Sequence, residues 1–500
     1  MKFSVKPTDS TKIATDMIVV FAGDSAVFSH EASVIDQVLH GDLADVSRAE
    51  GFDGNRGSTQ LVYTHGGIAA PRVLLVGLGK ANECTMVHLL EQAAVIGRKA
   101  KKIHAKRIAI AMPFDLLNTF SIQVLAQGMV EGLSLGTYEF NRHKSKETQE
   151  KEHHIDDVVL LVPAGKLDAA AYGKDMGEIV SRAVVFARDL VNEPPSYTTP
   201  THLGNVAKSL AKGRSEMTCD VLGKSDMETL GMGGILGIAR GSDEEPKFIK
   251  LSYRGSGRKT LCLVGKGITF DTGGLSLKPS DSMETMKLDM AGAAVILGIF
   301  SVLPLLKPKA TIVGLISATE NMPGSSAIKP GDVVSAMNGK TIEILNTDAE
   351  GRVVLADALS YAVEKVKPDA LVDLATLTGA CMVALGEDIA GLFANTPALC
   401  DALKKSAGQA GERVWELPLA CEYKEILKST VADIKNISGK RYGGAINGAL
   451  FLQEFVPDTV PWAHLDIAGP AFAEKEAPLT PKGGTGFGVR MLINWLLQEK

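Results

Sequence analysis

Short apolar runs that stop at glycine or proline recur along this chain, with helix-spaced segments between them. MIVVFAG (17–23), RVLLVGLG (72–79), RIAIAM (107–112) and DVVLLVPAG (157–165) are strand candidates in the first third. Each is rich in Val, Ile or Leu, and most end at a residue that breaks a strand. Between them, MVHLLEQAAVIGRKAKKI (86–103) has helical spacing. Further along, KFIKLSY, TLCLVG, ATIVGLIS, TIEIL and ALVDLAT repeat the strand signal, and helices are expected to start near Asp289, Arg352 and Asn447. Strands alternating with helices predict α/β layers built on a central, mostly parallel sheet flanked by helices.

The 500 residues are enough for more than one such layer structure. A charged stretch, NRHKSKETQEKEHH (141–154), reads as an exposed loop before the last early strand, and DMGEIVSRAVVFARDLVN (175–192) reads as a helix stopped by the prolines of EPPSYTTP. The expected organisation is a smaller N-terminal α/β domain (1–165), a connecting helix (166–195) and a larger C-terminal α/β domain (196–500). A net charge of −5 argues against a polyanion binder as a whole. The six cysteines form no CxxC pair, which favours buried free thiols over a disulfide framework. No signal peptide is expected. The apolar stretch MAGAAVILGIFSVLPLL (290–306) carries Pro304 and falls short of the ~20 residues a bilayer span needs. A buried core helix and a cytoplasmic protein without membrane contact are expected.

Polar residues gather where an α/β fold places its sites. TLCLV is expected to end at Gly265, with Lys266 just beyond it; Asp271 precedes a Gly-Gly turn; Lys278 precedes Pro279; Asp289 opens an apolar helix. In NTDAEGR (346–352), Asp348 and Glu350 stand two residues apart after the TIEIL strand. In an extended segment they point to one side. Alone, such a pair also reads as a solvated acidic turn. Together with Asp271 and Asp289, four carboxylates in one cleft would repel and raise each other's pKa, and two divalent cations would cancel their charge. Only His202 and His464 lie beyond residue 200 and no HExxH occurs, so a metal site there depends on oxygen ligands; both histidines are expected to be structural.

NTDAEGR resembles the signature of the leucyl aminopeptidases, the cytosol aminopeptidase family of two-metal exopeptidases. GKGITFDTGGLSLKP, MKLDMAGAA, DLATLTGA and HLDIAG extend the resemblance in order through residues 180–500. Val353 stands where the signature commonly has Leu, and NEPPSYTTP is somewhat unusual; neither touches the metal motif. The resemblance implies that Lys266, Asp271, Asp289, Asp348 and Glu350 bind two divalent ions, Mn2+ or Zn2+, with Asp271 and Glu350 bridging. It implies that Lys278 polarises the scissile carbonyl. Arg352 would hold a bicarbonate acting as general base on a metal-activated water. Met286, Thr376, Leu377 and Gly379 would receive a leucine-like first residue of a peptide substrate. It also implies a homohexamer. A second function is open in principle: the basic run RKAKKIHAKR (98–107) could touch nucleic acid. With no aromatic residue in the run and no helix-turn-helix pattern, a solvated helix end is the preferred reading.

Overall fold

Even and odd residues of the early strands bury against different helices. In the strand Met17–Gly23, Met17, Val19 and Phe21 pack with Leu89, Ala93 and Ile96 of the helix Met86–Lys102 and with Leu125 and Met129 of the helix Ile122–Gly136. Ile18, Val20 and Ala22 pack on the opposite side with Ala32, Ile35 and Leu43 from the helices His30–Val38 and Asp42–Ala49. A period of two with both faces covered is why these runs are apolar without alternation. The computed structural model describes residues 1–499. Its first sheet has six strands in the spatial order Lys2–Pro7, Asp157–Val162, Arg107–Ala111, Met17–Gly23, Arg72–Gly79 and Thr59–Tyr63. All neighbours are parallel except the last pair.

Contacts divide the chain into two units, Met1–Ser181 with Lys475–Pro481, and the remainder. The division falls within one long helix, Leu167–Asn192, which begins eight residues before the 175–192 segment expected from the sequence.

The second unit is built on an eight-stranded mixed sheet. Its spatial order is Arg413–Glu416, Ile389–Ala394, Trp462–Asp466, Ala370–Ala375, Thr260–Asp271, Thr311–Asn321, Lys247–Tyr253 and Met217–Leu222. The four central strands are parallel, and antiparallel pairs join the flanking strands to them. The helix Glu350–Tyr361 packs on one face with Ile235, Ile238 and Leu450. The helix Ala291–Leu306 is buried without a break from Ala291 to Phe300, as a core helix should be. It continues through Pro304 in its last turn. Its start lies hard on the sheet: a Cβ on Gly292 would stand 2.3 Å from the Leu374 carbonyl oxygen and 2.9 Å from the Lys266 nitrogen. Only glycine permits that approach.

Three expectations change. The strand that was to end at Gly265 runs on to Asp271, so Lys266 sits inside it. TIEIL contributes only Thr341–Glu343, in a separate three-stranded sheet. Among the six free cysteines, Cys84, Cys262, Cys381 and Cys400 are buried, whereas Cys219 is half-buried and Cys421 exposed.

Candidate active site

Lys266 and Asp271 are five apart on one strand, and a regular strand would send them to opposite faces. The pairing with the strand Thr311–Asn321 resolves this. Ile268 lies opposite Thr319 and Asp271 opposite Asn321, so one extra residue is accommodated on the Lys266 strand. This irregularity re-aims Asp271, as bulges beside sites commonly do. The chain then reverses at Gly273 and Gly274, with φ of +84° and +63°. Asp271 Oδ1 accepts from the Gly273 N–H (2.8 Å), and the Lys278 N–H donates to the Thr272 carbonyl (2.9 Å). That turn carries Lys278 back over Asp271.

Asp348 and Glu350 meet for a different reason from the one their spacing suggested. Asp348 lies in a turn, Ala349 has φ −108° and ψ 41°, and Glu350 is the first residue of a helix. The segment is therefore not extended. Asn321 Nδ2 donates to Asp271 Oδ1 (2.7 Å) and to the Thr347 carbonyl (3.0 Å), which fastens the turn to the strand. Thr347 Oγ1 donates to the Gly273 carbonyl (2.6 Å), and Asn436 Nδ2 donates to the Asn346 carbonyl (2.6 Å). Asn321, Thr347 and Asn436 escaped the sequence analysis; Asn321 and Asn436 are single amides with no motif of their own, and Thr347 sat unremarked inside NTDAEGR.

All eleven residues singled out for the site line one cavity of about 530 Å³. At its charged end, Lys266 Nζ is 2.7 Å from Asp289 Oδ2, 2.8 Å from Glu350 Oε1 and 3.0 Å from the Thr376 carbonyl oxygen. Lys278 Nζ is 2.9 Å from Asp271 Oδ2 and 2.5 Å from Asp348 Oδ1. Thr376 Oγ1 donates to Asp289 Oδ1 (2.6 Å). Lys266 lies across Gly351, where a Cβ would stand 2.5 Å from its Cε. The glycine of the DAEG sequence thus makes room for the lysine. Met286, Leu377 and Gly379 line the same cavity together with Met382, Ala468 and Phe472.

Electrostatics set this pocket apart. Burial and the neighbouring Asp271 carboxylate push Glu350 up to about 8, and burial raises Asp289 and Asp348 as well. Burial opposes the charge on Lys266, but Asp289, Glu350 and Asp271 outweigh it and hold its pKa above the ordinary lysine value. The same balance, led by Asp271, raises Lys278. Burial lowers Arg352 to about 10 against the pull of Glu350 and Asp466.

Oxygen atoms of Asp271, Asp348 and Glu350 lie within 4.8 Å of one another, and Glu350 Oε2 is buried with no hydrogen-bond partner among the described residues. A hard, carboxylate-rich donor set with an orphaned oxygen fits divalent cations. Arg352 donates from Nη1 to the Asn436 carbonyl (2.8 Å), while its buried Nε has no partner among the described residues. That free donor fits a small anion. Neither histidine lines the cavity: His202 is exposed, and His464 Nδ1 is 2.6 Å from Asp373 Oδ1. In the basic run, Arg98 pairs with Glu476 (3.0 Å), Lys101 with Glu139 (2.6 Å) and Arg107 with Asp16 (3.0 Å).

Residues 185–493 match the family model described as "Cytosol aminopeptidase family, catalytic domain", and residues 19–147 match that of the same family's N-terminal domain. A probable cytosol aminopeptidase of Alkaliphilus metalliredigens is 42% identical over 496 residues, covering 98% of each chain. One from Geobacter sp. is 44% identical over 466 residues, 93% of each. Among solved structures, a mutant of tomato leucine aminopeptidase superposes with a TM-score of 0.89 at 33% identity, covering 100% of this chain and 96% of that one. The bottromycin maturation enzyme BotP in complex with Mn gives 0.85 at 34% identity, covering 97% and 99%.

Proposed function

The chain belongs to the cytosol aminopeptidase family and is a metallo-aminopeptidase, a hydrolase acting on peptides; from that premise we propose how its own residues divide the work. Lys266, Asp271, Asp289, Asp348 and Glu350 would hold two divalent ions, Asp271 and Glu350 serving both by the family resemblance, and Lys266 would bind as a neutral amine once the charge of the ions displaces its proton. The observation that carries this reading is the convergence of all four carboxylates and Lys266 on one cavity, with Glu350 Oε2 left unpartnered. Bound there, divalent ions polarise a peptide carbonyl and acidify water. Manganese, the ion bound to the similar enzyme BotP, is the first to try, and zinc the second.

The remaining residues orient the substrate and move charge. Lys278 keeps its ammonium on the cavity wall, where it stabilises the oxyanion that develops as the carbonyl is attacked. Arg352, fixed through Nη1, leaves Nε to hold a small anion, and a bicarbonate held there would supply a general base for water. Met286, Thr376, Leu377 and Gly379 line the space for a leucine-like first side chain. A cytoplasmic homohexamer completes the proposal on family resemblance; light scattering of the purified chain tests the assembly.

An exopeptidase of this kind recognises a free α-amine, which donates its lone pair only when unprotonated, with a reference pKa of about 7.7–8.0. Activity should therefore rise from neutral to mildly alkaline pH. The deciding measurement is kcat/KM for a leucyl dipeptide and for its N-acetyl form at saturating metal. Acetylation should cost at least about 10²-fold through misplacement of the carbonyl. Comparable cleavage of the two would overturn the amine requirement.

A further inference from the structure

We infer that Asp466 is a positioning residue of this site: its carboxylate turns the backbone carbonyls of Thr376 and Leu377 into the cavity. The inference rests on the aminopeptidase reading above, in which Leu377 lines the space for the substrate's first residue. The strands Ala370–Ala375 and Trp462–Asp466 run parallel, and Ala375 lies opposite Asp466 as their last pair. The segment that follows Ala375 therefore leaves the sheet beside the Asp466 side chain.

That side chain is fully buried and collects donors from both segments. Its Oδ1 accepts from the backbone N–H of Leu377 (3.2 Å), Thr378 (3.4 Å) and Ala468 (3.2 Å). Its Oδ2 accepts from Thr378 Oγ1 (2.7 Å). Four hydrogen bonds thus converge on one carboxylate, three from backbone N–H groups and one from a hydroxyl.

Geometry converts the clamp into a function. No cis peptide bond occurs among the described residues, and in a trans peptide the C=O points away from the N–H of the same plane. Tying the N–H groups of Leu377 and Thr378 to Asp466 sends the carbonyls of Thr376 and Leu377 in the opposite direction. The Thr376 carbonyl arrives 3.0 Å from Lys266 Nζ. The Leu377 carbonyl is turned the same way, toward the cavity that Leu377 lines, where it accepts a hydrogen bond from a substrate N–H. One buried carboxylate thus sets the aim of two backbone acceptors without itself lining the cavity.

The test compares wild type with Asp466→Asn and Asp466→Ala, using a leucyl dipeptide at saturating Mn2+. Asp466→Asn keeps the shape but loses the charge and the acceptor for the Thr378 hydroxyl. Misaiming a substrate acceptor weakens binding in ground and transition states alike, so KM should rise with kcat nearly unchanged. The expected rise is about three- to tenfold for Asp466→Asn, the range for one hydrogen bond, and more for Asp466→Ala. Bound manganese, read by elemental analysis, should stay near the wild-type content in Asp466→Asn. Should Asp466→Ala fail to fold, Thr378→Val takes its place; it removes the hydroxyl bond to Asp466 together with the helix-capping bond from the Cys381 N–H (3.1 Å), and its KM should rise as well. Unchanged KM in the folded variants overturns the inference, as does a fall confined to kcat that tracks lost metal. Wild type that leaves leucyl dipeptides intact overturns the aminopeptidase reading itself, a result distinguishable because it precedes any variant.

Discussion

Cations of the N-terminal unit and of the catalytic unit live in different surroundings. In the run 98–107, the side chains of the Arg98–Glu476 pair are 29% and 67% exposed. In the cavity, those of the Lys266–Glu350 pair are 3% and 2% exposed. Exposed pairs contribute about 0–1 kcal/mol, because water screens them and the long side chains lose freedom. Breaking a buried pair costs about 3–5 kcal/mol, because the surviving charge is left without water or partner. Counting lysines and arginines therefore misleads: the basic run is conspicuous in sequence and settles into surface pairing, while three scattered cations govern the site.

The strongest way to break this contrast is Glu350→Ala. It removes the carboxylate assigned to both ions and strands Lys266. Elemental analysis after dialysis should show metal lost from both positions, by more than the ~10–100-fold that losing a supporting hydrogen-bond partner costs. Two full equivalents in the variant would sink the bridging role. Lys278→Ala comes next. Its kcat should fall about 10²–10³-fold, the scale of one oxyanion partner, with metal content normal; turnover near wild type would refute the assignment. Arg352→Ala should lower kcat by roughly 10²-fold, the low end for losing general-base assistance, and should lose most of the response to added bicarbonate. Equal activation by bicarbonate in both proteins counts against the anion. The smallest effect belongs to the other side of the comparison. Arg107→Ala, which breaks the pair between a 58% exposed guanidinium side chain and Asp16, should shift unfolding free energy by less than about 1 kcal/mol and leave peptide turnover unchanged. A larger loss, read from urea midpoints, would show that the surface pairing carries more than its exposure allows.

The alternation of strands and helices was legible because central strands buried on both faces write continuous apolar runs. Edge strands leave no such mark: Lys2–Pro7, Thr59–Tyr63 and Arg413–Glu416 are mostly exposed or half-buried and were passed over, and so were the buried interior strands Ile389–Ala394 and Trp462–Asp466, whose short runs are broken by Gly391 and by His464 and Asp466. The carboxylates were legible because they cluster in short ordered motifs. Asn321, Asn436 and Asp466 were not read as site residues, because one amide or acid far along the chain has no local signature, even where, like Asp466, it falls within a motif.

By itself the sequence determined the α/β layering, the family and the set of polar residues that a two-metal site requires, since residue type and order are enough for those. Tertiary structure alone decided how they meet. A one-residue irregularity, invisible in composition, put Lys266 and Asp271 on one cavity. The helix expected near Arg352 starts at Glu350 itself, and that start brought Glu350 to Lys266. The shifted pKa values followed from burial, and burial depends on what packs around a group, which no single segment of the chain contains.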